Sequence, residues 1–146
     1  MFAQVQVARW QLLMDHDATF KANQSESVSC DCGNCRNFLA AVDKLPQEFF
    51  QLMDTLGLDA SRPTEIVSYN ENADGSHFFG WWYHVVGKPT NLDELTKSQS
   101  KTTPVANGVE AFLSIRRDLA PTDFPEPVLQ IEFFATLPWA LKQPST

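Results

Sequence analysis

A chain of 146 residues has the size of one domain and is long enough to bury roughly two thirds of the surface that its unfolded form exposes. Its 43% hydrophobic and 20% charged residues are typical of a globular protein and exclude wholesale disorder. The 11 basic and 18 acidic residues leave a net charge of −7, which repels nucleic-acid phosphates and anionic membrane surfaces. We therefore expect a single domain, 1–146, whose partners include neither nucleic acid nor membrane.

The cysteine count and the N-terminus indicate the compartment. Three cysteines within six positions make a poor disulfide framework and are typical of a reducing environment. The first 14 residues have neither a basic leader nor an apolar segment of signal-peptide length. No apolar run approaches the ~20 residues that a membrane span requires. We expect a cytoplasmic protein.

The first half of the chain predicts one strand followed by two helices. Alternating apolar residues predict a strand within 3–13, and the polar segment 15–29 is interpreted as a long connection. Helices are predicted over 34–44 and 46–56, the first capped by Asp31 or Asn34. Pro46 suits the start of the second helix, and Gly57 suits its end because glycine adopts the left-handed conformation at low cost.

A hairpin is predicted next, with strands over 64–69 and 76–87 joined by turn residues 70–75. Both faces of its second strand are apolar, so we expect that strand to be central and covered twice. Helices would cover one face. Loops, a second sheet or a partner subunit would cover the other, so a homodimer is one interpretation.

The last part of the chain predicts two more strands. Residues 88–107 are interpreted as an irregular excursion with a helical turn at 91–97, and 109–117 as a strand. Three prolines make 120–127 a stiff connector. Residues 129–137 show the clearest alternation in the sequence, with apolar residues at every odd position and Gln130, Glu132 and Thr136 on the opposite face. The predicted fold is α+β, an antiparallel sheet of about five strands with two helices packed on one face.

Every cysteine of the chain lies in the segment 30–38. Zinc prefers four soft or borderline ligands in a tetrahedron, and thiolates two and three residues apart can converge where a turn precedes a helix. Cys30, Cys32 and Cys35 have this spacing, and Gly33 permits the turn. We predict His84 as the fourth ligand, ahead of His77, His16, a water or a side chain of a partner.

Two other interpretations of the cysteines remain open. A pair at Cys32 and Cys35 beside a helix N-terminus suits thiol–disulfide chemistry, because the helix dipole favours a thiolate. Against this, a thioredoxin-like pair follows a strand in a βαβ unit, and no such unit precedes these residues. The thiols can also be reduced residues that pack as small apolar groups.

Known catalytic signatures are missing from the sequence. It contains no G-x-S-x-G, H-E-x-x-H, G-x-x-x-x-G-K-[ST] or G-x-G-x-x-G motif. The aromatic residues Trp81 and Trp82 suit ligand stacking, but at strand spacing they also suit core and interface packing. The sequence therefore favours a role other than catalysis.

Three segments together resemble a family of small bacterial proteins of unassigned function. They are C-x-C-x-x-C-R-N-F at 30–38, Y-H-V-V-G at 83–87, and F-P-E-P-V-L-Q-I-E-F at 124–133 followed by Pro138 and Trp139. The resemblance covers most of the chain from residue 30 onward. It implies a bacterial, cytoplasmic, single-domain protein and brings no activity, substrate or cofactor with it.

The sequence therefore predicts a non-enzymatic acidic domain that binds another protein, in an accessory or immunity-type role, and that holds one structural zinc at Cys30, Cys32, Cys35 and His84. Two alternatives are carried forward. One is a thiol–disulfide redox protein that uses Cys32 and Cys35. The other is a small-molecule binder that uses the aromatic strand 77–86.

Overall fold

The computed structural model describes residues 1–24, 30–91 and 101–143, which form a seven-stranded antiparallel sheet and three helices. The α+β class and the antiparallel sheet are confirmed, with two strands and one helix more than predicted. No helix within these ranges has the length and apolarity that a bilayer crossing requires. The strands are β1 (Ala3–Val7), β2 (Trp10–Met14), β3 (Glu65–Glu71), β4 (His77–Pro89), β5 (Thr103–Ala106), β6 (Val109–Ser114) and β7 (Val128–Leu137), and the helices are α1 (His16–Ala22), α2 (Gly33–Ala41) and α3 (Gln47–Leu56).

Strand β4 is the centre of the sheet, whose order is β1-β2-β4-β7-β6-β5. One edge of β4 pairs with β7 along residues 77–86. The other edge is divided, because β3 pairs with residues 77–82 and β2 pairs with residues 87–89. This division leaves backbone groups of β4 between residues 82 and 87 without a strand partner on that edge.

Helix α1 fills the gap in the edge of β4. The Thr19 hydroxyl accepts the Val86 N–H at 2.9 Å, and Asp15 N–H donates to the Val86 carbonyl at 2.9 Å. The Asn23 amide donates to the His84 carbonyl at 3.0 Å. Buried backbone groups require such partners, so the helix replaces the missing strand. The interpretation of 15–29 as a connection is wrong for 16–22.

The main core lies between α2, α3 and one face of the sheet. Phe38 of α2 packs on Trp81 with ring centroids 5.0 Å apart, and Phe49 of α3 packs on Phe133 at 5.1 Å. All four side chains are fully buried. The predicted helices 34–44 and 46–56 correspond to α2, followed by a 3₁₀ turn at Val42–Lys44, and to α3.

Gly57 ends α3 in the left-handed conformation, as predicted, with φ of 73°. Leu58 N–H then donates to the Met53 carbonyl at 2.9 Å, which closes the last turn. A Cβ at position 57 would also lie 2.6 Å from the His16 carbonyl oxygen. The glycine therefore both stops α3 and admits the start of α1 beside it.

Two strand predictions need correction. The single strand expected within 3–13 is the hairpin β1–β2, which turns at Ala8 with φ of 51°, a conformation that is rare outside glycine, asparagine and aspartate. Strand β5 lies inside the predicted irregular stretch 88–107 and pairs with β6. The predicted helical turn at 91–97 falls almost wholly on residues 92–100, outside the described ranges.

Candidate metal centre

The three thiols meet at the start of α2. The sulfur atoms of Cys30, Cys32 and Cys35 all lie within 4.8 Å of one another. Cys30 and Cys32 are exposed, Cys35 is buried, and none forms a disulfide. A tetrahedral zinc with Zn–S bonds of about 2.3 Å holds its sulfurs about 3.8 Å apart. A contraction of an ångström or less therefore brings the thiols to ligand spacing.

The local backbone explains why the sulfurs converge. Cys32 is the N-cap of α2, and its sulfur accepts the Cys35 N–H at 3.4 Å. The Cys30 sulfur accepts the Cys32 N–H at 3.4 Å. These bonds use amide groups that have no partner within the helix. The predicted caps Asp31 and Asn34 are thus wrong, because a thiol takes the place of the usual oxygen acceptor.

The same bonds separate the acidities of the thiols. The Cys35 amide and the Cys30 thiol, which donate to the Cys32 sulfur, lower the pKa of Cys32. Burial, followed by the neighbouring sulfurs Cys32 and Cys30, raises the pKa of Cys35 well above its usual range. One exposed sulfur that favours the thiolate therefore lies beside a buried thiol that retains its proton.

The C-terminal segment fixes the position of α2. The buried Asn37 amide donates to the Pro138 carbonyl at 3.1 Å, and its oxygen accepts the Ala140 N–H at 2.6 Å. The Trp139 ring passes 3.7 Å from the place that a Cβ on Gly33 would occupy. The turn that carries the cysteines is thereby packed against the end of β7.

Sequence reasoning did not single out Asn37 or Trp139 as site residues. Both belong to the segments that carry the resemblance to the bacterial family, the R-N-F of 36–38 and the Pro138-Trp139 pair. The structure shows that these two segments, 101 positions apart, contact each other. No periodicity of either segment indicates this contact, so it depends on the tertiary structure.

His77 lies near this segment but has its own partners. Its ring stacks on Trp139 at 4.8 Å, and Nδ1 is 3.2 Å from the Ser68 hydroxyl. Nε2 faces the Glu71 carboxylate at 3.6 Å. His77 is not part of the group of mutually close ligand atoms formed by the cysteines.

His16 lies at the start of α1, where both ring nitrogens are engaged. Nδ1 is 3.1 Å from the Asp17 carboxylate, and Nε2 is 2.9 Å from the Asp54 carbonyl. The latter contact joins α1 to the end of α3, so His16 has a structural role. Its ring nitrogens are not part of the group of close ligand atoms formed by the three cysteines.

The structure does not bring His84 to the cysteines. Side chains alternate along a strand, so His84 faces away from Trp81, which packs on α2 through Phe38. Its Nε2 is 3.0 Å from the Gln130 amide oxygen, and its Nδ1 is 3.1 Å from the Thr64 hydroxyl. The fourth ligand predicted from sequence is instead a buried histidine with both nitrogens hydrogen-bonded.

The network around His84 fixes its neutral form. The Gln130 oxygen also accepts the Asp118 N–H at 2.8 Å, so it acts as an acceptor and His84 Nε2 carries the proton. The Thr64 hydroxyl then donates to Nδ1. Burial lowers the pKa of His84, against a raising influence from Gln130 and Asp118, and Arg117 lowers it further.

This histidine is expected to weaken the fold in mild acid. Because its folded pKa lies below the unfolded value of about 6.5, the unfolded chain binds the proton first as the pH falls. The free energy of unfolding should fall by up to about 1.4 kcal/mol per pH unit below pH ~6.5. The measurement is urea unfolding from pH 7 to 5 for the wild type and His84→Gln.

His84→Gln should lack this contribution to the change of the free energy of unfolding with pH. His16, whose pKa is raised chiefly by the Asp17 carboxylate, gives a slope of opposite sign that is common to both proteins. Equal slopes in the two proteins would contradict the prediction.

The two tryptophans of β4 have different environments. Trp81 is fully buried against Phe38, Phe49 and Phe133, so its ring is not available to stack a ligand. Trp82 is partly exposed, and its Nε1 donates to the Asp118 carbonyl at 3.0 Å. A cavity of about 380 Å³ lies elsewhere, between α1 and residues 121–125. Any stacking role of this strand therefore falls to its outer face.

No family model matches this chain, and comparisons with curated proteins and with solved structures found no significant match. A function for this protein is therefore inferred from its own α+β fold and thiol cluster. The resemblance to the bacterial family stays a prediction.

Proposed function

We propose that the protein is a non-enzymatic binding domain that holds one zinc ion at Cys30, Cys32 and Cys35. The observation that carries the metal assignment is the convergence of all three sulfurs within 4.8 Å at the start of α2. Thiolates select zinc over hard cations such as magnesium and calcium. The sulfurs come from a turn and a helix that their own hydrogen bonds already hold together.

The electrostatics of the helix start support the same assignment. Three thiolates around Zn²⁺ carry a net charge of −1, and the positive end of the α2 dipole offsets part of it. Backbone N–H groups already point at the sulfurs of Cys30 and Cys32.

The fourth zinc position is assigned to a water or to a side chain of a partner. Among the described residues the group of close ligand atoms consists of the three cysteines, and the histidines have other partners. Because two of the sulfurs are exposed, an outside ligand can reach the ion. Zinc with three protein ligands keeps such a position open.

The wider role that we propose is to bind another protein. The net charge of −7 supports a partner with a basic surface. The lack of catalytic motifs supports a role without chemistry. Zinc then serves to hold the start of α2.

The direct test is the metal content of protein purified without chelator from zinc-supplemented cells. We expect one zinc per chain by elemental analysis, and loss of that zinc in Cys35→Ser. His84→Gln is the matched control, because it removes the ligand predicted from sequence and should retain full zinc. The proposal would be contradicted if the protein stayed free of zinc after incubation with zinc at neutral pH while all three thiols were reactive.

A second candidate, thiol–disulfide exchange, is favoured by one observation: the exposed Cys32 sulfur lies close to the buried Cys35 sulfur at a helix start. The Cys32 thiolate would attack a substrate disulfide and release one substrate thiolate. Cys35, after losing its proton to solvent, would attack Cys32 and release the other. Two electrons thereby pass from the protein to the substrate disulfide, the two thiol protons of the protein go to solvent, and the released thiolates take up protons from solvent.

Treatment with oxidised glutathione distinguishes the zinc-binding candidate from the thiol–disulfide candidate. A redox pair should form an intramolecular disulfide with loss of two hydrogens by mass, and reform its thiols with dithiothreitol. A zinc site should stay reduced and keep its zinc at the same glutathione concentration. Reversible disulfide formation in zinc-loaded protein would favour the redox candidate.

A further inference from the structure

The outer face of the sheet, opposite to α2 and α3, carries three aromatic side chains in mutual contact. The ring of Tyr69 lies 5.7 Å from that of Phe78 and 6.3 Å from that of Phe134, and Phe78 and Phe134 stack at 6.3 Å. Tyr69 remains 52% exposed. We name these three residues the outer aromatic cluster.

Gly80 lies beneath the cluster. A Cβ at this position would be 2.7 Å from the Tyr69 ring and 3.1 Å from the Phe134 ring. The absence of a side chain lets the rings lie against the strand. The cluster is therefore a continuous aromatic surface built on the sheet, with Tyr69 open to solvent.

Three carboxylates share this face. Cross-strand register places Glu110 opposite Phe134, and places Glu132 and Glu65 on either side of Trp82. Residues paired across strands point to the same face of a sheet. Glu132 also raises the pKa of Tyr69, after the larger contribution of burial. The aromatic surface is thus bordered by negative charge.

Cations are missing from the strand positions of this face. Strands β3, β6 and β7 and residues 77–82 of β4 contain no lysine or arginine. Arg116 and Arg117, which follow β6, form ion pairs with Asp118 and Glu126. The face therefore combines aromatic rings with carboxylates that have no cation of their own on these strands.

We propose that the outer aromatic cluster, together with Glu65, Glu110 and Glu132, is a docking surface for an arginine-bearing segment of another protein. A guanidinium can stack on an aromatic ring and at the same time pair with a carboxylate. Lysine matches this combination less well, because its ammonium is compact and more strongly hydrated. The net charge of −7 adds long-range attraction for a basic partner.

The occupant is a different protein and not a second copy of this chain. A symmetric dimer through this face would place carboxylates against carboxylates, which is destabilising. The inference names the partner for the proposed protein-binding role and rests on that role. It is independent of the zinc site, which involves α2 on the opposite face.

The test uses three labelled peptides that differ in one chemical group, with Gly-Arg, Gly-Lys and Gly-citrulline repeats. Fluorescence anisotropy with zinc-loaded full-length protein should show the tightest binding for the arginine peptide and the weakest for citrulline. Tyr69→Ala should weaken arginine-peptide binding by about fivefold, from the loss of one cation–π contact. Phe20→Ala is the matched control, because Phe20 on α1 is 53% exposed and should leave binding unchanged.

Charge variants distinguish the contribution of the carboxylates on this face from that of the net charge of the protein. Glu110→Gln with Glu132→Gln should weaken arginine-peptide binding more than Asp43→Asn with Glu48→Gln, which removes the same charge beside α3. Glu110→Gln alone repeats the test without touching the hydrogen bond from Gln130 to Glu132. Equal losses in the two double variants would overturn the proposal in favour of non-specific attraction.

Two further outcomes would also overturn it. One is equal affinity for the arginine and citrulline peptides, and the other is a dimer in sedimentation that Tyr69→Ala dissociates. Zinc content is measured on every protein. Full zinc content without arginine-specific binding would contradict the docking surface and agree with the zinc site. Arginine-specific binding by protein that takes up no zinc would contradict the zinc site and agree with the docking surface.

Discussion

Zinc-loaded protein is expected to unfold with a free energy about 4 kcal/mol higher than the chelator-treated protein, when free zinc exceeds the dissociation constant about a thousandfold. For a chain of this size the difference corresponds to a midpoint shift of roughly 10 °C. The ion ties Cys30, which precedes α2, to Cys35 inside it. The binding free energy adds to the folding free energy, because the three sulfurs lie within 4.8 Å of one another in the folded chain and are not held together in the unfolded chain.

Cys35→Ser should abolish this zinc-dependent shift. Magnesium at the same concentration should give no shift in the wild type, because it prefers oxygen ligands in an octahedron. The measurement is calorimetry with and without zinc. A zinc-dependent shift that survives in Cys35→Ser would place the ion elsewhere in the protein.

Phe38→Ala is expected to cost about 3–5 kcal/mol of folding free energy, the usual range for removing a fully buried aromatic ring. Phe38 is fully buried and contacts Trp81 at 5.0 Å and Phe79 at 6.0 Å. Together with Asn37, it joins the helix that follows the cysteine turn to the sheet. Urea unfolding of zinc-free protein measures the effect without the metal contribution.

Leu39→Ala provides the matched control on the same helix. Leu39 is 40% exposed, and its truncation should change the free energy of unfolding by about 0.5 kcal/mol or less. Comparable losses in the two variants would contradict the packing that orients α2 toward β4.

The proposed zinc site and the proposed docking surface lie on opposite sides of one sheet. The thiols lie at the start of α2, which packs on the face of Trp81, whereas the outer aromatic cluster covers Gly80 on the other face. Variants in one site should therefore leave the other intact, since distant sites with no shared partners are usually additive. This independence is what allows each proposal to fail alone.

Local sequence patterns were sufficient to predict the helices and strands that bury a regular stripe of apolar side chains. The helical spacing of apolar residues predicted α2 and α3, and Gly57 predicted the end of α3. The alternation of 129–137 predicted β7, whose odd-numbered side chains are buried. In each of these segments burial follows the period of the element itself, so neighbouring residues carry the information.

The same patterns failed where an element depends on distant contacts. Helix α1 has few buried residues of its own, and Thr19 and Asn23 matter because they complete the edge of β4. The turn of the β1–β2 hairpin at Ala8 lacks the residues that usually mark positive φ. No periodicity predicts either feature, since both are determined by what packs against them.

The candidate site divides in the same way. The sequence by itself determined that Cys30, Cys32 and Cys35 lie together at the start of a helix, because they are separated by two and three positions across a turn. Only the tertiary structure decided that His84 faces away from them to Thr64 and Gln130, because the direction of a strand side chain depends on which face of the sheet the helices cover. Tertiary packing likewise brought Asn37 to Pro138, 101 positions away, and left Tyr69 of the outer aromatic cluster exposed to solvent.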